Sequence, residues 1–272
     1  MSVAEEKPED QEEKAKPRAG EGVWDTFKII IQALILALLI RTFLFQPFSI
    51  PSGSMQDTLL VGDFLFVSKY SYGYSRYSLP FSPDIFGGGR VFGSEPARGD
   101  VAVFKWPRDN TTDYIKRVIG LPGDRVQMID GVLHINGEPV EMELIEGDPD
   151  SASRSRRLVY RETLPNGVSY EIIDSYENGP LDDTGEFVVP EGHYFMMGDN
   201  RDGSSDSRDP TSGVGFVPFE NLIGRAEIIF FSVTPPCEVG NRPTYCAEDG
   251  GEAWEFWRWP WILRGDRIFD GL

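Results

Sequence analysis

One apolar segment near the N-terminus divides the chain and limits what the rest of it can form. Residues 29–40 contain one strongly polar side chain, Gln32, and are bracketed by Lys28 and Arg41. A bilayer needs about 20 apolar residues in a helix, so this run alone is short. The wider segment 23–45 would span roughly 34 Å at 1.5 Å per residue, provided that the two flanking cations extend toward the headgroups. We therefore expect one transmembrane helix over residues 23–45.

A cleavable signal peptide and a buried core helix are the alternatives for this segment. Small residues should follow the apolar part of a signal peptide, and residues 41–47, Arg-Thr-Phe-Leu-Phe-Gln-Pro, provide no such site. Lysine and arginine lie mainly before the segment, which predicts a cytoplasmic N-terminus and a body on the outer side of the membrane. Residues 1–22 are charged and nearly devoid of large apolar side chains, which predicts a disordered cytoplasmic tail.

Beyond Pro47 the pattern changes to short apolar runs separated by glycine, proline or aspartate, which is typical of β-strands. Asp130-Gly131 and Asn136-Gly137 are strong signals for tight turns and predict hairpins within residues 125–141. The runs that predict strands lie at 64–67, 101–104, 114–119, 125–129, 132–135, 194–197 and 226–231.

These patterns predict a mainly β protein whose core comprises residues 46–140 and 192–235. The segment 141–191 is acidic and has weaker strand patterns, so we expect an inserted lobe there. Residues 236–272 form an aromatic-rich C-terminal segment. Its tryptophans are compatible with closure of the core and with contact at a membrane interface.

Charge and cysteine content exclude some classes of protein. The net charge of −18 argues against nucleic-acid binding, which requires clustered lysine and arginine. The two cysteines, Cys237 and Cys246, are too few for a four-ligand zinc site. They could form one local disulfide in an oxidising compartment or remain two free thiols.

The sequence lacks the usual signatures of hydrolases, namely Gly-x-Ser-x-Gly and His-Glu-x-x-His, and it lacks a phosphate-binding loop. Its two histidines, His134 and His193, lie in a predicted hairpin and a predicted turn, where neither is a good candidate base. Residues 48–59, Phe-Ser-Ile-Pro-Ser-Gly-Ser-Met-Gln-Asp-Thr-Leu, are compatible with an ordinary turn. They are also compatible with a turn that exposes Ser54 as a nucleophile, which then needs a base.

A lysine can act as that base only when its amine is neutral. At an ordinary pKa near 10.4 about one lysine in a few thousand is neutral at pH 7, but apolar burial can lower the pKa by several units. Lys116 lies in a predicted apolar strand, as do Lys69 and Lys105, and periodicity does not separate the three. Arg117 is excluded because a guanidinium group does not lose its proton in proteins.

Four segments in order resemble the bacterial type I signal peptidases, also called leader peptidases, and the resemblance covers most of residues 27–232. The segments are Pro-Ser-Gly-Ser-Met at 51–55, Gly-Asp-Phe-Leu-Phe-Val-Ser-Lys-Tyr-Ser-Tyr-Gly at 62–73, Arg-Gly-Asp-Val-Ala-Val-Phe-Lys at 98–105 continuing into Asp-Tyr-Ile-Lys-Arg-Val-Ile-Gly-Leu-Pro-Gly-Asp at 113–124, and Gly-Asp-Asn-Arg-Asp-Gly-Ser-Ser-Asp-Ser-Arg at 198–208. The resemblance implies a mainly β fold with a coiled antiparallel catalytic sheet.

The resemblance also implies roles for individual residues. Ser54 is implied as the nucleophile and Lys116 as the general base, while Lys69 and Lys105 become structural. The hydroxyl of Ser52 and the backbone N–H of Ser54 are implied as oxyanion donors.

Residues 198–208 are implied to support the site. Ser204 would hydrogen-bond and orient the lysine, and Asp206 and Arg208 would form an ion pair near it. Asp199 and Asn200 belong to the same loop.

An extended substrate is implied to lie along two strand edges. One edge contains Ile50 and Pro51, and the other contains Asp113, Tyr114 and Ile115. Small substrate residues at positions −3 and −1 would fit shallow apolar pockets lined by Ile50 and Ile115.

The implied activity is membrane-bound cleavage of signal peptides from exported preproteins by a monomer at the plasma membrane, with no metal or organic cofactor. The chain departs from the family pattern at Asp57, where proline is usual, and at Gly203, where asparagine is common. The proline's absence predicts a less rigid turn after the nucleophile. Two alternatives are a serine/lysine peptidase related to self-cleaving repressors and a non-catalytic anchored β domain that binds exported chains.

Overall fold

A computed structural model of the protein describes residues 19–84, 86–87, 89–147, 157–174, 176, 179–237, 246–247 and 250–272. The chain divides into two compact units, Met1–Leu39 and Ile40–Leu272. Residues 1–18 of the predicted tail lie outside the described residues.

Helix α1 extends over Ala19–Phe43 and contains a stretch, Trp24–Phe43, that is long and apolar enough to cross a membrane. The described part of the helix begins at Ala19, before the predicted start at residue 23. It ends at Phe43 rather than at residue 45, because the chain becomes extended ahead of Pro47.

Fourteen strands are found among the described residues of the second unit, followed by a short helix α2, Trp259–Ile262. In chain order β1–β14 are Phe45–Ser49, Asp63–Ser68, Val101–Lys105, Asp113–Gly120, Arg125–Ile129, Val132–Ile135, Glu138–Pro139, Glu141–Glu146, Val159–Thr163, Ser169–Ile173, Phe187–Val188, His193–Met197, Phe216–Pro218 and Leu222–Ser232.

The strands form three sheets whose pairings are all antiparallel. The largest sheet has the order β1-β2-β14-β3-β4-β12-β13, and the two smaller sheets have the orders β10-β9-β8 and β11-β5-β6-β7. Register shifts in β14, at Ala226/Ile228 and Ile229/Phe231, increase the local twist and coil the large sheet. The predicted coiled antiparallel β fold is confirmed.

The hairpin turns form as their sequences predict. Asp130 and Gly131 have φ values of 49° and 76°, and Asn136 and Gly137 have φ values of 57° and 87°. Two successive residues with positive φ match the twist of the flanking strands, which is why Asp-Gly and Asn-Gly are favoured at these positions.

The predicted boundary between core and insert at residue 140 is not a boundary in the structure. Strand β11 lies within the insert but pairs with β5, which lies within the predicted core. One apolar cluster also joins the two regions, with Met128 and Phe195 packed against Leu164 and Ile172. The insert is too small to enclose a core of its own, so its strands bury their apolar faces against the rest of the unit.

The C-terminal segment begins with a disulfide between Cys237 and Cys246, so the bonded alternative is confirmed. Ile262 is buried, and the Trp259 ring lies 4.9 Å from the ring of Phe231. The aromatic residues of this segment that are more than half exposed, named here the C-terminal aromatic surface, are Trp254, Phe256, Trp257, Trp261 and Phe269.

Candidate active site

Ser54 lies in a short 3₁₀ helix, Gly53–Met55, directly after the edge strand β1. Its neighbours Ile50 and Met55 are buried in the apolar cluster beneath the turn. The backbone N–H of Ile50 donates to Asp63, and the N–H of Gly62 donates back to Ile50, at 2.9 and 3.0 Å. Packing on both sides therefore holds the serine in place.

Lys116 approaches Ser54 from strand β4. Its Nζ donates to Ser54 Oγ at 2.6 Å and to the carbonyl oxygen of Ile115 at 3.0 Å. The lysine is 2% exposed. Burial lowers the pKa of Lys116 to about 8, against the opposing effect of Asp206 and Asp199. A substantial fraction of the amine is therefore neutral near pH 8, as a general base requires.

The other two candidate lysines have different partners. Lys69 Nζ donates to the carbonyl oxygen of Ser78 at 2.6 Å, and Lys105 Nζ pairs with the Asp113 carboxylate at 2.7 Å. Among the lysines that the structure describes, Lys116 is the one that donates to Ser54.

Ser52 lies at the open side of the turn, and its Oγ is 3.5 Å from Ser54 Oγ. Ser52 is exposed, whereas Ser54 is 9% exposed. Ser52 and Ser54 therefore both line the cleft described below.

The loop 198–208 packs directly against Ser54 and Gly53. The backbone N–H of Asn200 donates to the carbonyl oxygen of Ser54 at 3.2 Å, and its side-chain amide donates to Gly53 at 3.1 Å. Asp206 and Arg208 form a bidentate pair, with both N–O distances at 2.9 Å. Burial raises the pKa of Asp206, but Arg208 and two backbone N–H groups outweigh it and hold the pKa below its ordinary value.

Ser204 does not make the hydrogen bond to Lys116 that the family resemblance implies. Its Oγ is buried and has no hydrogen-bond partner among the described residues. The lysine instead directs Nζ to Ser54 and to the Ile115 carbonyl. The expected contact is therefore wrong for this structure, although Ser204 lies beside Gly198 in the same loop.

Asp199 holds a buried cation that the sequence does not single out as part of the site. Its carboxylate accepts from Arg117 Nε at 2.9 Å and from Nη2 at 2.7 Å, and also from the Thr58 hydroxyl at 2.5 Å. Arg117 follows Lys116 on β4 and points to the other face of the strand. Successive side chains of a strand face opposite sides, and this alternation is the sequence signal that could have predicted a separate partner for Arg117.

A cleft passes in front of the two reactive groups. Its walls include all five residues predicted to bind substrate, which are Ile50, Pro51, Asp113, Tyr114 and Ile115. Strand β1 lies at the end of its sheet, and β12 pairs with β4 only from Arg117 onward. Residues 113–116 therefore keep one edge free of the described strands, and an extended peptide can bind such an edge.

One group of carboxylates within the described part of the chain lies close enough to share a cation. Oxygen atoms of Asp174, Asp182 and Asp202 lie within 4.8 Å of one another. Burial, followed by the neighbouring Asp202 and Asp182, raises the pKa of Asp174 to about 7. Protonation of one member therefore relieves the repulsion in this cluster.

A buried lysine that donates to a serine hydroxyl beside an open cleft is compatible with a serine peptidase, and comparison with known proteins identifies the family. Residues 23–231 match the family described as signal peptidase, peptidase S26. The chain therefore belongs to the peptidase S26 family.

Two relatives and one solved structure illustrate the similarity. The signal peptidase I of Rickettsia typhi (strain ATCC VR-144 / Wilmington) is 48% identical over 206 residues, which cover 73% of this chain and 76% of the relative. The signal peptidase I of Rickettsia conorii (strain ATCC VR-613 / Malish 7) is 47% identical over 216 residues, covering 77% and 79%. A crystal structure of a signal peptidase I from Enterococcus faecalis V583 is 29% identical, with 48% of this chain and 97% of that chain covered. Its TM-score of 0.29 is too low to support any structural argument.

Proposed function

We propose that this chain is a membrane-bound endopeptidase that removes signal peptides from exported preproteins, with Ser54 as nucleophile and Lys116 as general base. The main support is the 2.6 Å contact between the buried amine of Lys116 and the hydroxyl of Ser54. The relatives that carry the name signal peptidase I support the choice of substrate class.

The reaction is an acyl transfer in two stages. Neutral Lys116 accepts the proton of Ser54 as Oγ attacks the scissile carbonyl carbon, and the resulting ammonium then donates that proton to the leaving amine. The peptide C–N bond breaks and an ester to Ser54 remains. A water molecule next gives a proton to Lys116 and attacks the ester. The ammonium returns that proton to Ser54 Oγ as the acyl–oxygen bond breaks, which releases the carboxylic acid product and restores both the serine and the neutral amine.

Recognition of the substrate combines a strand edge with a small donor site. The free edge of residues 113–116 would pair with the extended peptide, and Ile50 and Ile115 would contact small side chains at −1 and −3. The hydroxyl of Ser52 and the backbone N–H of Ser54 would stabilise the oxyanion, and one such donor is worth roughly 3 kcal/mol.

The enzyme would act as a monomer at the plasma membrane. The candidate span Trp24–Phe43 would anchor it once, with the N-terminus in the cytoplasm and the β unit on the extracytoplasmic side. The C-terminal aromatic surface would lie in the headgroup region, where tryptophan is favoured. Its Trp254 and Trp261 are 68% and 77% exposed, which is unusual for large apolar side chains facing water.

Mass-spectrometric cleavage of a preprotein whose signal peptide ends in Ala-x-Ala tests the chemistry. Ser54→Ala, Lys116→Ala and Lys116→Arg should each abolish cleavage, because the last variant cannot supply a neutral base. Lys69→Gln is the matched control, because its buried amine donates to the carbonyl oxygen of Ser78 and does not contact the serine. Retention of activity in Lys116→Ala would reject the mechanism.

Fluorescence of the full chain in lipid vesicles tests the membrane contact. A variant that retains Trp261 as its sole tryptophan should be quenched by brominated lipids. A variant that retains only Trp106, which lies just after β3 on the main sheet, should be quenched much less. Equal quenching of the two would reject the proposed contact.

A further inference from the structure

A buried ion pair joins the acidic insert to the loop beside the nucleophile. Glu162 on β9 is 1% exposed, and Arg201 in the loop 198–208 is 2% exposed. Both carboxylate oxygens of Glu162 accept from the guanidinium group of Arg201. The contact connects residues separated by 39 positions in the chain.

Further buried groups surround this pair and extend it toward strand β4. The Tyr170 hydroxyl donates to Glu162 Oε2 at 2.7 Å, and the Tyr170 ring lies 4.0 Å from the guanidinium carbon of Arg117. Arg117 in turn holds Asp199, which precedes Asn200 in the loop. Tyr170 of the insert therefore contacts both charged pairs behind the active site.

The backbone of the insert is also hydrogen-bonded to the loop 198–208. The N–H of Ile173, the last residue of β10, donates to Asp199 at 2.9 Å, and the carbonyl oxygen of Ile173 accepts from the N–H of Arg201 at 2.8 Å. Asn200 lies between Asp199 and Arg201, and its N–H donates to the carbonyl oxygen of Ser54. A displacement of β10 would therefore be passed directly to the nucleophile.

Stability alone does not account for a buried pair of this kind. Removing two charges from water costs several kcal/mol per ion, and well-packed apolar side chains of similar volume are often as stable or more stable. A bidentate contact between a guanidinium group and a carboxylate does fix the position and orientation of both groups. Arg201 also accepts a hydrogen bond at its carbonyl oxygen from Arg208, the partner of Asp206, at 2.7 Å.

We propose that Glu162 is a positioning residue for catalysis, which acts through Arg201 to hold the loop 198–208 against Ser54 and Lys116. The acidic insert is on this view a structural part of the active site. The inference rests on the proposed function, because it assigns the residue a role in the Ser54–Lys116 reaction.

The pH dependence of acylation separates positioning from a direct effect of charge. If loss of Glu162 loosens the loop, water reaches Lys116, the pKa of its amine rises, and half-maximal activity moves to higher pH. If Glu162 instead acts only through its charge, the uncompensated Arg201 cation disfavours the ammonium form of Lys116. Half-maximal activity then moves to lower pH.

The experiment compares Glu162→Gln and Tyr170→Phe with the control Glu143→Gln in the full chain. Glu143 is an exposed glutamate on the neighbouring strand β8, and it faces Arg161 at 3.7 Å. Tyr170→Phe removes one hydroxyl from the network and keeps the ring, so it preserves the fold if Glu162→Gln does not. The measurements are kcat and KM for preprotein cleavage and the pH profile of labelling by a serine-directed acylating probe.

Glu162→Gln should lower kcat by up to roughly 100-fold, the loss expected when a reacting group is displaced by about 1 Å, with little change in KM. Its pH midpoint should rise, and Tyr170→Phe should give a smaller change of the same sign. Glu143→Gln should match the wild-type enzyme. An unchanged midpoint, a lower midpoint, or an equal loss in the control would overturn the positioning role. If wild-type activity survives Ser54→Ala, the proposed function itself fails, and that result is independent of Glu162.

Discussion

Two lysines, Lys69 and Lys116, are buried to the same extent and still occupy different kinds of site. Lys69 is 3% exposed and Lys116 is 2% exposed. Burial is the main cause that lowers the pKa of each to about 8. A shifted pKa therefore does not distinguish the candidate base from a structural amine.

The difference lies in what each amine faces. Lys69 Nζ donates to the carbonyl oxygen of Ser78, an acceptor that has no proton to give. Lys116 Nζ faces the hydroxyl of Ser54, which can transfer a proton to it once the amine is neutral. Burial makes the ammonium group of a lysine a stronger acid, so that the amine can be neutral near pH 8, and only apposition to a nucleophile lets that amine act as a catalytic base.

The largest expected effect is on catalysis in a pair of alanine variants. Lys116→Ala should reduce acylation of Ser54 by about 10⁴-fold or more, because the general base is removed. Lys69→Ala should keep most of the activity per folded molecule and lose roughly 1–3 kcal/mol of unfolding free energy, because the Ser78 carbonyl loses its donor. Single-turnover kinetics and urea unfolding measure the two effects. Equal loss of acylation in both variants would contradict the assignment of Lys116 as the base and Lys69 as a structural lysine.

An intermediate effect concerns the pH dependence of the wild-type enzyme. The ammonium form of Lys116 predominates below its pKa of about 8, so acylation should rise with pH and reach half its maximum near that value. Lys69→Met should leave the midpoint unchanged, because that amine does not contact the serine. If the midpoint moves in Lys69→Met, the titration belongs to Lys69, and its attribution to Lys116 is wrong.

The smallest expected effect is on stability as a function of pH. The folded-state pKa of Lys69, about 8, lies below the ordinary value of 10.5, so the unfolded chain binds more protons between these two values. The free energy of unfolding should therefore rise with pH across this interval, and the destabilisation should be fully present below pH 8. Lys69→Met should show a shallower rise in urea titrations at pH 8, 9 and 10. Parallel curves for the variant and the wild-type protein would contradict the lowered pKa.

The sequence predicts the strands better than it predicts which side chains meet at Ser54. Alternation and turn signals locate the hairpins because those preferences are local. Nothing local distinguishes Lys116 from Lys69 or Lys105, because the base is chosen by contact with Ser54, 62 positions away. The family resemblance resolves that choice, and the geometry agrees with it.

Tertiary packing also determines the role of the insert, which the sequence leaves open. Glu162 is one acidic residue in an acidic segment, and such segments are usually solvated. Its neighbours two positions away, Tyr160 and Leu164, are aromatic and apolar, so strand alternation was the available signal that its side chain faces inward. Its partner Arg201 could not be inferred without the fold.

The turn after the nucleophile provides a second such case. The absence of the usual proline predicts a flexible position at Asp57. The structure instead gives Asp57 a φ of 81° and an ion pair with Arg157 of the insert. Proline cannot adopt this φ, so the backbone at position 57 differs from the one that a proline would impose, and the ion pair attaches this turn to the insert.

The dispersal of the site along the chain has a consequence during biosynthesis. The ribosome makes the anchor and Ser54 early, Lys116 later, and the supporting loop only near residue 208. Until residue 208 has been made, the chain contains Ser54 and Lys116 without the complete loop that packs against them. The proposed catalytic centre therefore cannot assemble while the chain is still shorter than this.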